Sequence, residues 1–528
     1  MAGFHGVRNI MFRSVVKKAL VCVLLVPLFA HSQNNTEYLP PEFTDKNRLE
    51  QIKSVFPLLN TLYQEYAKKN HFPGYAFGVI LDGKMVYFGS GGYANLKEKT
   101  PVNTHTMFRI ASMTKSFTAM AVLKLRDEGK LKLDDPASLY IPELKNQKLT
   151  HDSPEITIRD LLTHSEGFPE DNPWGDRNLD KTDAELIALI KKGISFSNAT
   201  EVQYEYSNLG FALLGLIIKN ISGMPYQDYI AANIWKPLGM SEAAWEFTKI
   251  PSQNLARGYK WDQDHWEEEP LLHDGSFGAM GGMITSIESF SQYVALHQAA
   301  WPPRNDAETG PLKRGSIREM HQPWRFNTFN AHAKLVGKEC ATIASYGYGL
   351  RWLRDCHEKV YVGHSGGLPG FGSNWVFLPE YDIGVILFAN TTYALADPIN
   401  LNAVNILIKK GHLKPRELPA SNILTVRKDA LVKLLPEWRD APNSGLFASN
   451  FFLDNSVDAL RTETQTAFAN AGKITHVGEV IPENQLRGYF MLNGERANLK
   501  ISFSLSPDNP ALIQSFGIEE VALEQMVG

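Results

Sequence analysis

The stretch FRIASMTKSFTAMAVLKLRDEG, residues 108–129, decides the fold, and within it Ser112-Met113-Thr114-Lys115 decides the chemistry. Its apolar residues recur at helical spacing and Gly129 marks the end of the run. A serine and a lysine three apart on a helix share a face, so the amine reaches the hydroxyl. A serine hydroxyl is a poor nucleophile until a neighbouring base removes its proton. Lysine serves as that base when burial brings its pKa toward neutrality. A helix N-terminus also turns backbone N–H groups outward, where they stabilise an oxyanion. Taken alone, the same spacing also describes a capped helix with an exposed lysine, and the companions downstream decide between the two.

The first companion is Tyr206-Ser207-Asn208, in QYEYSNLGFALLGLIIK, just ahead of an apolar helical run that stops at Gly223. Side chains at an element end are placed for chemistry. A tyrosine hydroxyl relays a proton if a nearby ammonium lowers its pKa, and an asparagine amide binds a carbonyl. The second is His364-Ser365-Gly366-Gly367, in YVGHSGGLPGFGSNW, where a strand leads into glycines that allow close backbone approach.

Together these motifs resemble the serine β-lactamase and penicillin-binding-protein superfamily, in its class C-like branch of β-lactamases, DD-peptidases, D-aminopeptidases and esterases. The likeness extends to IRDLLTHSEGFP (158–169), KPLGM (236–240), GAMGGMITS (278–286) and GHSGGLPGF (363–371), and covers residues 45–412. Class A enzymes carry S-D-N and K-T-G instead. The resemblance implies an α/β fold, an antiparallel sheet flanked by helices with a helical subdomain. It implies Ser112 as the acylated nucleophile and Lys115 as its base or proton relay. Tyr206 would activate the deacylating water and protonate the leaving group, and Asn208 would hold the substrate carbonyl. His364, with Ser365 and Gly366, would stand at the third motif. The N–H groups of Ser112 and Gly367 would form the oxyanion hole, each donor contributing about 2.7–4 kcal/mol to barrier lowering. A neutral His364 is a weaker anion anchor than the lysine of β-lactamases. That points toward esterase, D-aminopeptidase or DD-peptidase activity before β-lactamase activity. Glu166 matches no catalytic glutamate of this branch, and Glu205 is expected to face solvent.

Composition agrees with this reading. The chain has 528 residues, 44% hydrophobic and 21% charged, enough for more than one core. A net charge of −4 gives no basic field for nucleic acid. Arg13, Lys17 and Lys18 precede the apolar run Ala19 to Ala30, and Ala30-His31-Ser32 offers a cleavage site. We therefore expect residues 1–32 to be a secretory signal and the mature protein to be periplasmic or secreted, with no membrane span left after cleavage. Of three cysteines, Cys22 lies in the signal. Cys340 and Cys356 either form one disulfide or remain two thiols, and two ligands without a histidine cluster make no metal site. No metal or organic cofactor is expected, and oligomeric state is not legible.

The expected domains are the hydrolase body at 45–412, a linker at 413–440 containing Lys414-Pro415-Arg416-Glu417-Leu418-Pro419, and a small α+β domain at 441–528. Within the body we expect a helix over 46–69, a hairpin turning at Asp82-Gly83, a short helix from Thr157 ending at Gly167, and strands at 348–353, 360–363, 374–377 and 383–388. The leading expectation is an exported serine hydrolase acting through an acyl-enzyme on an ester, amide or D-amino-acid peptide. The alternatives are a penicillin-sensitive DD-carboxypeptidase or β-lactamase acting on small-molecule or peptidoglycan-type substrates, and a cell-wall binding or sensor module with little turnover.

Overall fold

A computed structural model describes residues 38–335 and 337–523. The expected signal peptide, residues 1–32, lies outside the described residues. The body is built on one antiparallel sheet of nine strands: β1 (Gly74–Leu81), β2 (Lys84–Asn95), β3 (Thr100–Pro101), β4 (Arg325–Asn330), β5 (Thr342–Tyr346), β6 (Arg351–Arg354), β7 (Val360–Leu368), β8 (Phe371–Leu378) and β9 (Ile383–Ala389). Their order is β3-β2-β1-β9-β8-β7-β6-β5-β4. The central strands β1, β8 and β9 are buried at every position, as strands covered on both faces must be. The hairpin between β1 and β2 turns at Asp82 and Gly83, both left-handed at φ 52 and 73, which suits a type I′ turn.

Two helical layers cover the sheet. Helix α1 (Arg48–Lys53) and helix α2 (Phe56–Lys69) replace the single helix expected over 46–69, with Pro57 setting the second start. Ile52, Leu59 and Tyr63 share a core with Val385, Leu387 and Leu407. The opposite face carries α3 (Thr114–Asp127), α4 (Ile158–Thr163), α5 (Asp183–Lys192), α6 (Asn208–Ser222) and α7 (Ile287–Ala299), all feeding the largest core. Helix α8 (Asp397–Lys410) returns to pack with α2. Among the described residues no single helix is long and apolar enough to cross a membrane.

Several boundaries differ from expectation. Helix α4 carries a Thr157–Asp160 capping box and ends at left-handed His164 (φ 58) rather than at Gly167. The hairpin β4–β5 has no counterpart in the sequence reading, and β7 runs on through the His364 motif to Leu368. Cys340 and Cys356 are disulfide-bonded, which settles the open alternative. The segment read as linker contains helix α9 (Asn422–Leu434), whose Leu424 and Leu431 lie in the C-terminal core with Trp438 and Phe503. That core also takes α10 (Phe451–Asp454), α11 (Val457–Ala471) and a five-stranded antiparallel sheet spanning Ile474–Val521.

Candidate active site

Ser112 sits in a 3₁₀ turn, Ala111–Met113, that runs directly into α3. Ala111 before it is left-handed at φ 51, a strain on the order of 1–3 kcal/mol that sharp nucleophile turns store. The turn is held by the third motif. A Cβ on Gly366 would stand 2.3 Å from the Ile110 carbonyl oxygen, so only glycine lets β7 come this close. Ser373 Oγ on β8 donates to the same carbonyl at 2.7 Å.

Lys115 is fully buried. Its Nζ donates to Ser112 Oγ at 3.1 Å, to Asn208 Oδ1 at 2.6 Å and to the Met280 carbonyl at 3.0 Å. Burial lowers its pKa to about 7, with Asp176 and Asp171 pulling up and Arg351 pushing down. The Tyr206 ring lies 4.8 Å from Nζ. Burial dominates at Tyr206 and raises its pKa, although Arg351 and a contact to Ser112 act the other way. The phenol is therefore protonated at rest, against the expectation that the ammonium would lower it.

Asn208 opens α6, and its backbone N–H and that of Leu209 donate to Asp171 at 2.6 and 2.8 Å. With Oδ1 on Lys115, its amide nitrogen donates to Asn172 Oδ1 at 2.6 Å. A carbonyl bound to this amide nitrogen would have to displace Asn172. His364 is buried, with Nδ1 2.5 Å from the Ser365 carbonyl and Nε2 2.9 Å from the Tyr346 hydroxyl. The carbonyl can only accept, so Nδ1 carries the proton and Nε2 accepts from Tyr346. Burial, Arg351 and Lys115 hold His364 well below the usual histidine range, so it is neutral and anchors no anion.

The cation at this place is Arg351. Strand β6 pairs with β7 only from Arg351↔Gly363 to Arg354↔Val360, so among the described residues no strand pairs that edge of β7 from His364 onward. Exposed Arg351 stands at the start of this unpaired edge, 6.0 Å from the Tyr206 ring, and lines a cavity of about 250 Å³ with Tyr204, Tyr346, His364, Ser365 and Asn374. No sequence motif marked it. Asp171, Asn172 and Asp176 were also missed, and their one signal was the Asp/Asn/Trp/Gly loop between two helical runs. Glu205 does not simply face solvent: it accepts from the Glu170 backbone at 2.9 Å and from Ser197 Oγ at 2.7 Å. The motif residues Ser112, Lys115, Tyr206, Asn208, His364, Ser365, Gly366 and Gly367 thus converge on one cleft.

Residues 59–408 match the family described as Beta-lactamase. The chain belongs to this family. It is similar to the protein flp of Staphylococcus aureus (strain COL), 26% identical over 356 residues covering 66% of each chain. It therefore spans somewhat less than two thirds of that relative's length. It is 28% identical to penicillin-binding protein 4* of Bacillus subtilis (strain 168), over 63% of this chain and 71% of the relative. In fold it is similar to the octameric penicillin-binding protein homologue from Pyrococcus abyssi, with a TM-score of 0.59 at 21% identity over 89% of this chain and 96% of the other. The penicillin binding protein from Bacillus halodurans superposes with a TM-score of 0.52 at 24% identity, over 66% of this chain and 98% of that one.

Proposed function

We propose that this chain is an exported serine hydrolase of the class C-like branch that opens amide and ester bonds through an acyl-enzyme on Ser112, with D-amino-acid peptides as its substrate class. The observation that carries this reading is the Lys115 bond to Ser112 Oγ inside a buried pocket. Neutral Lys115 takes the serine proton as Oγ attacks the carbonyl carbon. The oxyanion is held by the N–H groups of Ser112 and Gly367. The Tyr206 phenol passes a proton to the leaving amine and is reprotonated from Lys115. Water then attacks the ester by the reverse path, giving the free acid and restoring Ser112.

An extended peptide fits the unpaired edge of β7 by strand addition, and Arg351 receives a carboxylate on the leaving side. Family membership and penicillin-binding relatives support this chemistry. The N-terminal apolar run and the Cys340–Cys356 disulfide support export to an oxidising compartment.

The test is intact mass of the mature protein against time with benzylpenicillin, with the hydrolysed drug followed in the same samples, beside an ester and D-amino-amide panel. A Ser112 adduct or Ser112-dependent turnover is expected. Turnover that survives Ser112→Ala shows the mechanism to be wrong. Acylation without turnover moves the reading to a sensor.

A further inference from the structure

The proposed reaction gives the cleft a direction. The leaving group must lie beside the Tyr206 phenol, whose ring is 6.2 Å from that of His364 and 6.0 Å from the Arg351 guanidinium. The acyl side then runs the other way along β7, toward Gly367 and Leu368, ~10 Å further on at strand spacing.

Tyr393 closes that end. Its backbone N–H donates to the Leu368 carbonyl at 3.3 Å, and its ring lies 2.8 Å from where a Cβ on Gly367 would be. Its hydroxyl crosses the cleft and donates to Asp176 Oδ2 at 3.0 Å. Asp176 sits in the 3₁₀ turn Gly175–Arg177, which is pressed on the catalytic asparagine: a Cβ on Gly175 would meet Asn208 Cβ at 2.8 Å. Asp176 is 1% exposed and its Oδ1 has no hydrogen-bond partner among the described residues. Its partner Tyr393 is 39% exposed and left-handed at φ 50, and the bond to Asp176 is the one side-chain hydrogen bond its hydroxyl makes among the described residues, while neighbouring backbone bonds fix the loop itself. A buried carboxylate with one bare oxygen and one exchangeable phenol is a receptor for a group with more donors and a positive charge.

We propose that Asp176 binds the α-ammonium of the substrate's acyl residue, which replaces the Tyr393 hydroxyl, so that the enzyme takes short amides and peptides with a free amino-terminus. This rests on the hydrolase reading above. With Arg351 at the leaving side, the cleft fits a zwitterion with an ammonium at one end and a carboxylate at the other. Chains extended on the amino side run into the Tyr393–Asp176 bar.

The experiment compares D-alanine p-nitroanilide with N-acetyl-D-alanine p-nitroanilide in the wild type, Asp176→Asn, Asp176→Glu and Tyr393→Phe, with a p-nitrophenyl acetate burst counting reactive Ser112. The wild type should favour the free amine by more than about 10-fold in kcat/KM, and Asp176→Asn should erase that ratio through KM, since it removes one partner of a desolvated charge pair. Tyr393→Phe, which removes the competing phenol, should lower KM for the free amine alone. Asp176 also neighbours Lys115, so a fall in kcat on both substrates is separate from the ratio. A normal burst with equal rates on both amides, or an unchanged ratio in Asp176→Asn, overturns the ammonium site and leaves the hydrolase standing. A wild type that releases no p-nitrophenol from the acetate ester above the Ser112→Ala background, in a burst or in the steady state, overturns the hydrolase reading itself. If Asp176→Asn loses its burst, Asp176→Glu decides: a retained preference supports the site and a lost one overturns it.

Discussion

Lys115 Nζ donates to Ser112 Oγ at 3.1 Å, and no carboxylate oxygen among the described residues is hydrogen-bonded to that ammonium. Its charge is opposed only at longer range by Asp171 and Asp176, so burial wins and its pKa falls to about 7. A lysine lowered in this way is neutral above that pH and charged below it. Acylation needs the neutral amine, so kcat/KM should rise to a plateau above pH 7 and fall about tenfold per unit below it. Removing Arg351, which pushes Lys115 down, should move this limb to higher pH. A burst-rate profile that is flat from about pH 5.5 to 9 would rule Lys115 out as the base.

Tyr206 carries a proton at rest, and in the proposed reaction it protonates the leaving group. Tyr206→Phe should lower kcat on anilides and peptides by about 10²–10⁴-fold. It should slow p-nitrophenyl esters far less, because p-nitrophenolate leaves without protonation. Equal losses on both substrate types would remove Tyr206 from the acid role.

The three motifs were legible because each is a local pattern: Ser112 and Lys115 are one helical turn apart, Tyr206 and Asn208 straddle a helix start, and His364 leads into glycines on one strand. The central strands were legible as apolar runs. Arg351, Asn172, Asp176 and Tyr346 were not, because each reaches the cleft through tertiary placement: Arg351 through β6–β7 register, Asn172 through the Asn208 amide, Asp176 through the Gly175 contact, and Tyr346 through a hairpin whose strands alternate too weakly to read. Helix α9 was hidden by the proline-rich run before it, which drew the linker too long.

In the proposed reaction Arg351 stands on the leaving side, and neutral His364 cannot replace its charge. Arg351→Gln should raise KM at least about 10-fold for peptides ending in a free carboxylate, in line with about 1.5–3 kcal/mol for a charged hydrogen bond. Amidated versions of the same peptides should be little affected. An equal effect on both would mean that Arg351 shapes the cleft without reading the carboxylate.

The C-terminal unit has its own core, and among the described residues no hydrogen bond joins 421–523 to 38–412. The chain just before it does serve the body: Arg416 pairs with Asp382 at 2.6 Å, and Glu417 exchanges backbone bonds with Glu42. A chain ending after Pro419 should keep its Ser112 burst and a cooperative melt. One ending after Leu413 should melt lower, having lost the Arg416 partner of the largely shielded Asp382. Loss of the burst in the longer form would show that the C-terminal unit completes the cleft.

Glu166 is fully buried beneath α6, facing Gly210, with neither carboxyl oxygen partnered among the described residues. Burial raises its pKa well above the ordinary 4.5, and the charges of Asp160, Asp171 and Glu205 add to the rise. For an acid raised on folding, the native state keeps a proton that the unfolded chain releases above pH 4.5. The stability cost therefore grows as pH climbs from there toward the native pKa, with a slope of up to about 1.4 kcal/mol per pH unit. Glu166→Gln cannot ionise and should lose this slope. Urea unfolding at pH 5 and pH 8 should show a smaller drop for the variant than for the wild type. The same drop in both would mean that Glu166 is ionised in the folded protein and paired through bound water.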